Sequence, residues 1–412
     1  MRENTPPASP YHNDDEELVY VGDDIDEVIE HLEALPDNEM EDIDEEEDME
    51  DDGNVTPERD DSILTFTKHT SALFCCNFST DGSLAVTGGE DDKAYVWATD
   101  TGDVVFEVTE HKDSVIAAEF SYDGAYLATG DMAGELRVFK IDKNYKKVWE
   151  FSMGDMSWMK WHRKANVLLA GSEVGEIFIW RIPSGDCKVL QGAGDKCEVA
   201  VFTSDDKRLA AGYGDGTFKL WDIKNQQILL NLGPDEPSSS DENEEVPPPS
   251  ITTIATDNEN QLIITGGVDG SAKLIGSNGL IGNLSIPQSS SLESFPIERV
   301  LIDCPGLEFK VAVTANLGGK VIIWDVAHQS IRNECKDEDA SGVTTMIWGK
   351  EQTIMAGTLG GAVKAWNVRN GELKFKLLGH ANNIHDICYH EKKNLLLTVS
   401  EDKTAKIYTL PL

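Results

Sequence analysis

Short runs in which apolar and polar residues alternate recur along this chain, and eight of them end on a comparable apolar residue. They read VTGGEDDKAYVW (ending at Trp97), ATGDMAGELRVF (Phe139), LAGSEVGEIFIW (Trp180) and AAGYGDGTFKLW (Trp221). The others are ITGGVDGSAKLI (Ile275), VTANLGGKVIIW (Trp324), MAGTLGGAVKAW (Trp366) and LTVSEDKTAKIY (Tyr408). A period of two places alternate side chains on one face, as in a half-buried strand. Each copy has an apolar run, then a turn rich in Gly, Asp or Asn, then a second run, which predicts a hairpin. A further alternating run precedes each hairpin, as in SVIAAEF and NIHDICY, and a fourth follows many of them, as in VVFEV and LKFKL. The copies end 42, 41, 41, 54, 49, 42 and 42 residues apart. Four antiparallel strands about every 40 residues predict blades arranged around an axis.

These motifs make the region from about Ser62 onward resemble the WD-repeat family, which implies an all-β, eight-bladed WD40 β-propeller over 62–412. Seven blades is the alternative, because Ile275 stands where an aromatic is expected and the fifth and sixth copies are loosely spaced. Lys68-His69, Glu110-His111 and Gly379-His380 match the family's Gly-His element, and Trp221-Asp222 and Trp324-Asp325 its Trp-Asp pair. The resemblance implies structural roles for His69, His111 and His380, and for Trp97, Trp180, Trp221, Trp324 and Trp366. It also implies an Asp, six residues before the closing aromatic, that bonds the His. Asp91, Asp215, Asp269 and Asp402 hold that position, whereas Ala133, Val174, Gly318 and Gly360 hold it in the other copies. The last copy is one strand short. SILTFTKH, before the first copy, aligns with VVFEVTEH and LKFKLLGH, so Ile63–Thr67 is expected to complete the last blade and remove an open edge.

Charge adds a second region to this picture. Of 412 residues, 75 are acidic and 35 basic, a net charge of −40. Residues 1–61 hold 26 acids against Arg2 and Arg59, and EDIDEEEDMEDD (Glu41–Asp52) has ten carboxylates in twelve positions. Such a stretch cannot bury a core and predicts a disordered acidic tail. Within it, GDDIDEVIEHLEAL (22–35) spaces Ile25, Val28, Ile29, Leu32 and Leu35 as a short amphipathic helix. GPDEPSSSDENEEVPPPS (233–250) and SIPQSSSLES (285–294) predict disordered insertions. Ser238–Ser240, ahead of Asp241-Glu242, has the form of an acid-directed kinase site. An excess of carboxylates opposes DNA, RNA and anionic lipid, whose binding needs Lys and Arg to displace counterions. It favours basic proteins. The start lacks a signal-peptide pattern, no run suits a membrane span, and seven cysteines without a CxxC fit a reducing compartment. These features predict a cytoplasmic monomer, with the nucleus as a second location.

No catalytic constellation emerges. HANNIHDICYH groups His380, His385, Cys388 and His390 without a zinc spacing. The glycines of GYGDGTF and TGGEDD lie in hairpin turns rather than in a phosphate loop between strand and helix. Cys75-Cys76 sits on an inner strand with no basic neighbour. We therefore expect a binding protein with no metal and no cofactor. On the face carrying the His loops we place Glu90, Asp113, Asp131, Asp155, Glu173, Glu198, Asp215 and Glu401 as client-binding carboxylates. Asp91 and Asp269 share that face, and Trp158 is a candidate apolar contact.

A narrower resemblance rests on ALF (Ala72–Phe74), LAVTGGEDDKAYVW, HKDSV, LATGDM, WMKWHRKANVLLAGS, GDCK and GYGDGTFKLWD. Together with the acidic tail, these are similar to the angio-associated migratory cell protein family. Its more distant fungal relatives are dedicated chaperones of a newly made, basic large-subunit ribosomal protein. The resemblance implies a chaperone or escort in ribosome biogenesis, with the acidic face and tail capturing a cationic client. Animal members are linked to cell migration and heparin, which makes a migration-signalling scaffold the alternative. Heparin itself is a polyanion, and the tail has only two Arg to meet it. A second alternative is a substrate receptor of a cullin-type ubiquitin ligase. It rests on WNVR (Trp366–Arg369), similar to a Trp-Asp-x-Arg element with Asn367 in place of Asp.

Overall fold

The computed structural model describes residues 56–142, 144–192, 194–234, 248–284, 295–337 and 339–411. The chain divides into Met1–Asp52 and Gly53–Leu412, and the described residues belong to the second unit. The segment expected as a helix at 22–35, the acidic run 41–52, Ser238–Ser240 and the insertion 285–294 lie outside the described residues, as do residues 235–247 of the other insertion.

Among the described residues, thirty-two strands form eight four-stranded antiparallel sheets. Each of blades 1 to 7 takes four consecutive strands. Blade 1 runs from its inner strand Leu73–Phe78 through Leu84–Gly89 and Ala94–Ala98 to the outer strand Val104–Val108. Blade 8 supplies Ile384–His390, Leu395–Ser400 and Ala405–Thr409, and takes Leu64–Phe66 from the start of the unit as its outer strand. The ring therefore has eight blades, and the seven-bladed alternative is wrong. Ile275, the residue that raised the doubt, is buried in the core between blades 4 and 5 beside Phe218 and Leu220.

The closing strand pairs Leu64 with Ile407 and Phe66 with Ala405. The joint continues on both sides: Asp61 N–H donates to Leu378 O at 2.8 Å, and Leu378 N–H donates to the Asp61 carboxylate at 2.9 Å. Lys406 Nζ reaches Asp60 at 2.6 Å and Thr65 Oγ1 at 3.0 Å. Phe66 crosses into the next blade, where its ring stacks on Trp97 with centroids 4.7 Å apart.

The core is divided into eight hydrophobic clusters, one in every seam between neighbouring blades. A blade is a thin sheet, and each face finds apolar cover only on the next blade, so the ring must close to bury both faces of every sheet. The glycine near the end of the second strand serves this packing. A Cβ on Gly88 would lie 2.7 Å from Val115 of the following blade, and one on Gly212 would lie 2.5 Å from Ile251. These glycines are notches for the leading apolar residue of the next inner strand, and not only strand ends.

Candidate functional site

The loops on the His-bearing face are positioned by buried networks that begin in the repeat motif. In blade 1, His69 Nδ1 is 2.9 Å from Asp91 and Nε2 is 3.0 Å from Thr87 Oγ1, which also accepts from Trp97 Nε1 at 3.3 Å. Blade 8 repeats this with His380, Asp402 at 2.8 Å and Thr398 at 2.6 Å. Burial alone would raise the Asp402 carboxyl, but the His380 and Thr404 hydrogen bonds hold it down at about 2. Asp91 is likewise held below its ordinary range by His69, against the effect of burial.

Blade 2 differs from expectation. Its His111 bonds Asp131 at 2.9 Å and Thr129 at 2.8 Å, so the carboxylate comes from the strand end and not from the turn position held by Ala133. Asp131 is fully buried and occupied, which removes it from the client-binding set. The buried Arg137 completes this blade by placing Nη1 2.9 Å from His111. The loops ahead of the inner strands of blades 4 and 5, GAGDK and VPPPS, carry no His for Asp215 and Asp269 to meet. Each caps its own turn, accepting from Thr217 N at 2.8 Å and Ser271 N at 3.0 Å. The repeat aromatics are all buried. Trp324 bonds Thr314 at 2.9 Å and Trp366 bonds Lys336 O at 3.3 Å. Trp158 is buried too, its indole laid on Gly171 and its Nε1 donating to Cys197 O at 3.0 Å. It joins blade 3 to blade 4 and is unavailable to a ligand, so the expected apolar contact is also corrected.

The remaining predicted carboxylates stay on the loop face. Glu90, Asp155 and Glu173 are exposed, while Asp113, Glu198, Asp215 and Glu401 are half-buried. Asp113 accepts from Ser114 N at 2.7 Å, and Glu401 from Asn383 at 2.6 Å. The fold gathers one group at the seam of blades 3 and 4. Glu173 N–H donates to Asp155 O at 3.1 Å, and Lys196 Nζ lies 3.1 Å from Glu173 and 3.3 Å from Glu198. Asp195 packs between the turns that hold Gly175 and Gly214, next to Asp215. Glu173 and Glu198 thus share one ammonium, with the exposed Asp155 and Asp195 on the adjoining loops. Burial lowers the Lys196 pKa, but the two glutamates outweigh it and raise the value overall, so the lysine stays charged. Asp195 was missed because GAGDK belongs to a loop between blades and lies outside the hairpin signature.

Sequence reasoning also missed charges on the inner strands. Glu119, Lys160, Arg299 and Asp386 lie in blades 2, 3, 6 and 8, yet they influence one another electrostatically, which places them around the central axis. Two of them tie blades together: Glu119 accepts from Trp161 N at 3.2 Å and Asp386 from Cys76 N at 3.1 Å. Burial raises the Glu119 and Asp386 carboxyls and lowers Lys160. The signal was a charged residue inside an otherwise apolar or neutral run, such as Glu119 in VIAAEF. Cys75 and Cys76 are buried thiols raised well above their ordinary range by burial, which leaves them unreactive. His385 instead packs its ring against Phe74, 5.6 Å between centroids. In WNVR, Arg369 donates to Gln352 at 2.6 Å and its backbone N–H bonds Asn367.

This architecture defines the class: an eight-bladed WD40 β-propeller. The family model for the WD domain, G-beta repeat, matches residues 60–98, 102–140, 187–222 and 371–409. The chain is 34% identical over 367 residues to the angio-associated migratory cell protein of Homo sapiens, covering 85% of this chain and 80% of that protein. It belongs to the angio-associated migratory cell protein family. It is also 24% identical over 386 residues to the ribosome assembly protein SQT1 of Saccharomyces cerevisiae, covering 85% of this chain and 87% of that protein. Among solved structures, Chaetomium thermophilum Sqt1 bound to the N-terminus of the ribosomal protein L10 aligns with a TM-score of 0.72. The match has 18% identity and covers 85% of this chain and 100% of that one.

Proposed function

We propose that this protein is a non-catalytic escort that holds a basic segment of a large-subunit ribosomal protein on its loop face during ribosome assembly. The observation that carries this reading is the seam of blades 3 and 4, where Glu173 and Glu198 share Lys196 and the exposed Asp155 and Asp195 lie on the adjoining loops. A cation arriving there replaces water around carboxylates that the fold already holds together, so little ordering has to be added on binding. The relationship to ribosome assembly protein SQT1, and the L10 segment bound by its Chaetomium counterpart, support a ribosomal protein as the client. The acidic run at 41–52 adds long-range attraction, which raises the association rate more than it sets specificity. Its setting is the cytoplasm, with action in the nucleus also consistent with ribosome assembly.

The test is calorimetric titration with a peptide of the L10 N-terminus and with a scrambled peptide of equal charge. Binding is expected to prefer the native order and to weaken steeply with salt. Reversing Asp155, Glu173 and Glu198 to Lys is expected to cost at least about tenfold in affinity, that is about 1.4 kcal/mol. Binding that survives about half-molar salt and all three reversals would overturn the reading.

A further inference from the structure

The opposite face carries a different feature, at the seam of blades 7 and 8. A cleft of about 210 Å³ opens there, with Met355, Phe375, Leu410 and Pro411 as its apolar lining and Lys350 and Lys374 at its rim. Its floor is built rather than incidental: Met355 is fully buried in its sheet and Leu410 is 8% exposed. Lys374 is aimed by a hydrogen bond to Thr353 Oγ1 at 3.0 Å, and its only ion pair among the described residues is a 3.7 Å contact with the largely exposed Glu351. Asn394, also in the lining, follows Lys392 and Lys393 in the adjoining turn of blade 8. Lys393 turns away to Gly82 O of blade 1 at 3.0 Å, so the cleft itself sets Lys350 and Lys374 against Glu351, a local positive excess on a chain whose net charge is −40.

We propose that this cleft docks a short acidic peptide segment of a partner protein, inserting one large apolar side chain beside the lysines. Size argues against a cofactor, because such sites run to about 300–1,000 Å³ and this cleft has room for a single large side chain. The apolar floor argues against a nucleic acid, which would use the lysines and leave the floor empty. Charge argues for carboxylates flanking the inserted residue, since the rim is cationic and the rest of the molecule repels acids. The proposal is independent of the client on the loop face, and the two sites call for partners of opposite charge.

The experiment uses the full chain and a fluorescent heptapeptide, acidic apart from a central Leu-Phe pair, together with a twin carrying Ala-Ala in that place. Fluorescence anisotropy is expected to show binding of the first and at least tenfold weaker binding of the twin. The double variant K350E/K374E is expected to lose binding at least tenfold. It should keep its thermal midpoint and its affinity for the L10 peptide, so failure at this cleft is distinguishable from failure at the loop face. Phe375→Ala checks the apolar floor, and should weaken the Leu-Phe peptide while leaving the twin unchanged. A heparin oligosaccharide or short RNA that competes equally well, with no discrimination between the two peptides, would make the cleft a plain cationic patch and overturn the proposal. Absence of binding by either peptide would overturn it as well.

Discussion

At the scale of single residues, the same side-chain chemistry does different work according to what the fold puts beside it. Asp402 and Glu401 are neighbours in sequence, yet Asp402 is locked under His380 and Glu401 faces the loop surface with Asn383. The Asp402 pKa is depressed from 3.8 to about 2. Its contribution to stability is therefore complete above about pH 4 and lost as pH falls towards 2, and amounts to about 2 kcal/mol. Asp402→Ala should lower the urea midpoint at neutral pH and flatten the pH dependence of stability between 4 and 2. A variant with an unchanged acid limb would show that the pair contributes nothing. Trp158→Ala should cost about 3–5 kcal/mol through a cavity at the blade 3/4 seam. Peptide affinity on the loop face should persist in the fraction that remains folded, and a loss there would return Trp158 to the binding set.

Strands and blades follow a simpler rule. Each sheet is stable only because its neighbour covers it, and the ring has no spare element. Removing Ser62–Thr67 takes Phe66 out of the cluster between blades 8 and 1 and leaves Ala405–Thr409 as an open edge. The thermal midpoint should fall sharply and aggregation should increase, which differential scanning calorimetry with light scattering would read. An unchanged melt would contradict closure by that strand. Gly212→Val tests the notch between blades 4 and 5, where the added carbon meets Ile251. Overpacking of this kind costs about 1–3 kcal/mol, visible as a lower urea midpoint.

Over the whole molecule, the excess of carboxylates opposes compaction at the same time as it attracts a cationic client. Added monovalent salt should therefore raise the melting temperature of the free protein while weakening its complex with the L10 peptide. These opposite slopes, measured in one buffer series, separate self-repulsion from client attraction. If both quantities fell with salt, ion pairs such as Lys406–Asp60 and Lys310–Asp257 would outweigh net repulsion in the folded ring.

The blade repeat, the closing strand and the His–Asp pairs of blades 1 and 8 were legible in the sequence because they are local or periodic. Alternation, turn chemistry and a spacing near 42 residues act within one blade, and one blade is short enough to read. The sequence could not show which carboxylates are spent. Asp131 and Asp155 look alike in a linear reading, and only the return of His111 over its own sheet buries the first while the second stays exposed. Nor could it assemble Lys196 with Glu173, or Met355 with Leu410. Those residues meet across seams, and a seam exists only once the ring has closed and each blade has been brought against the next.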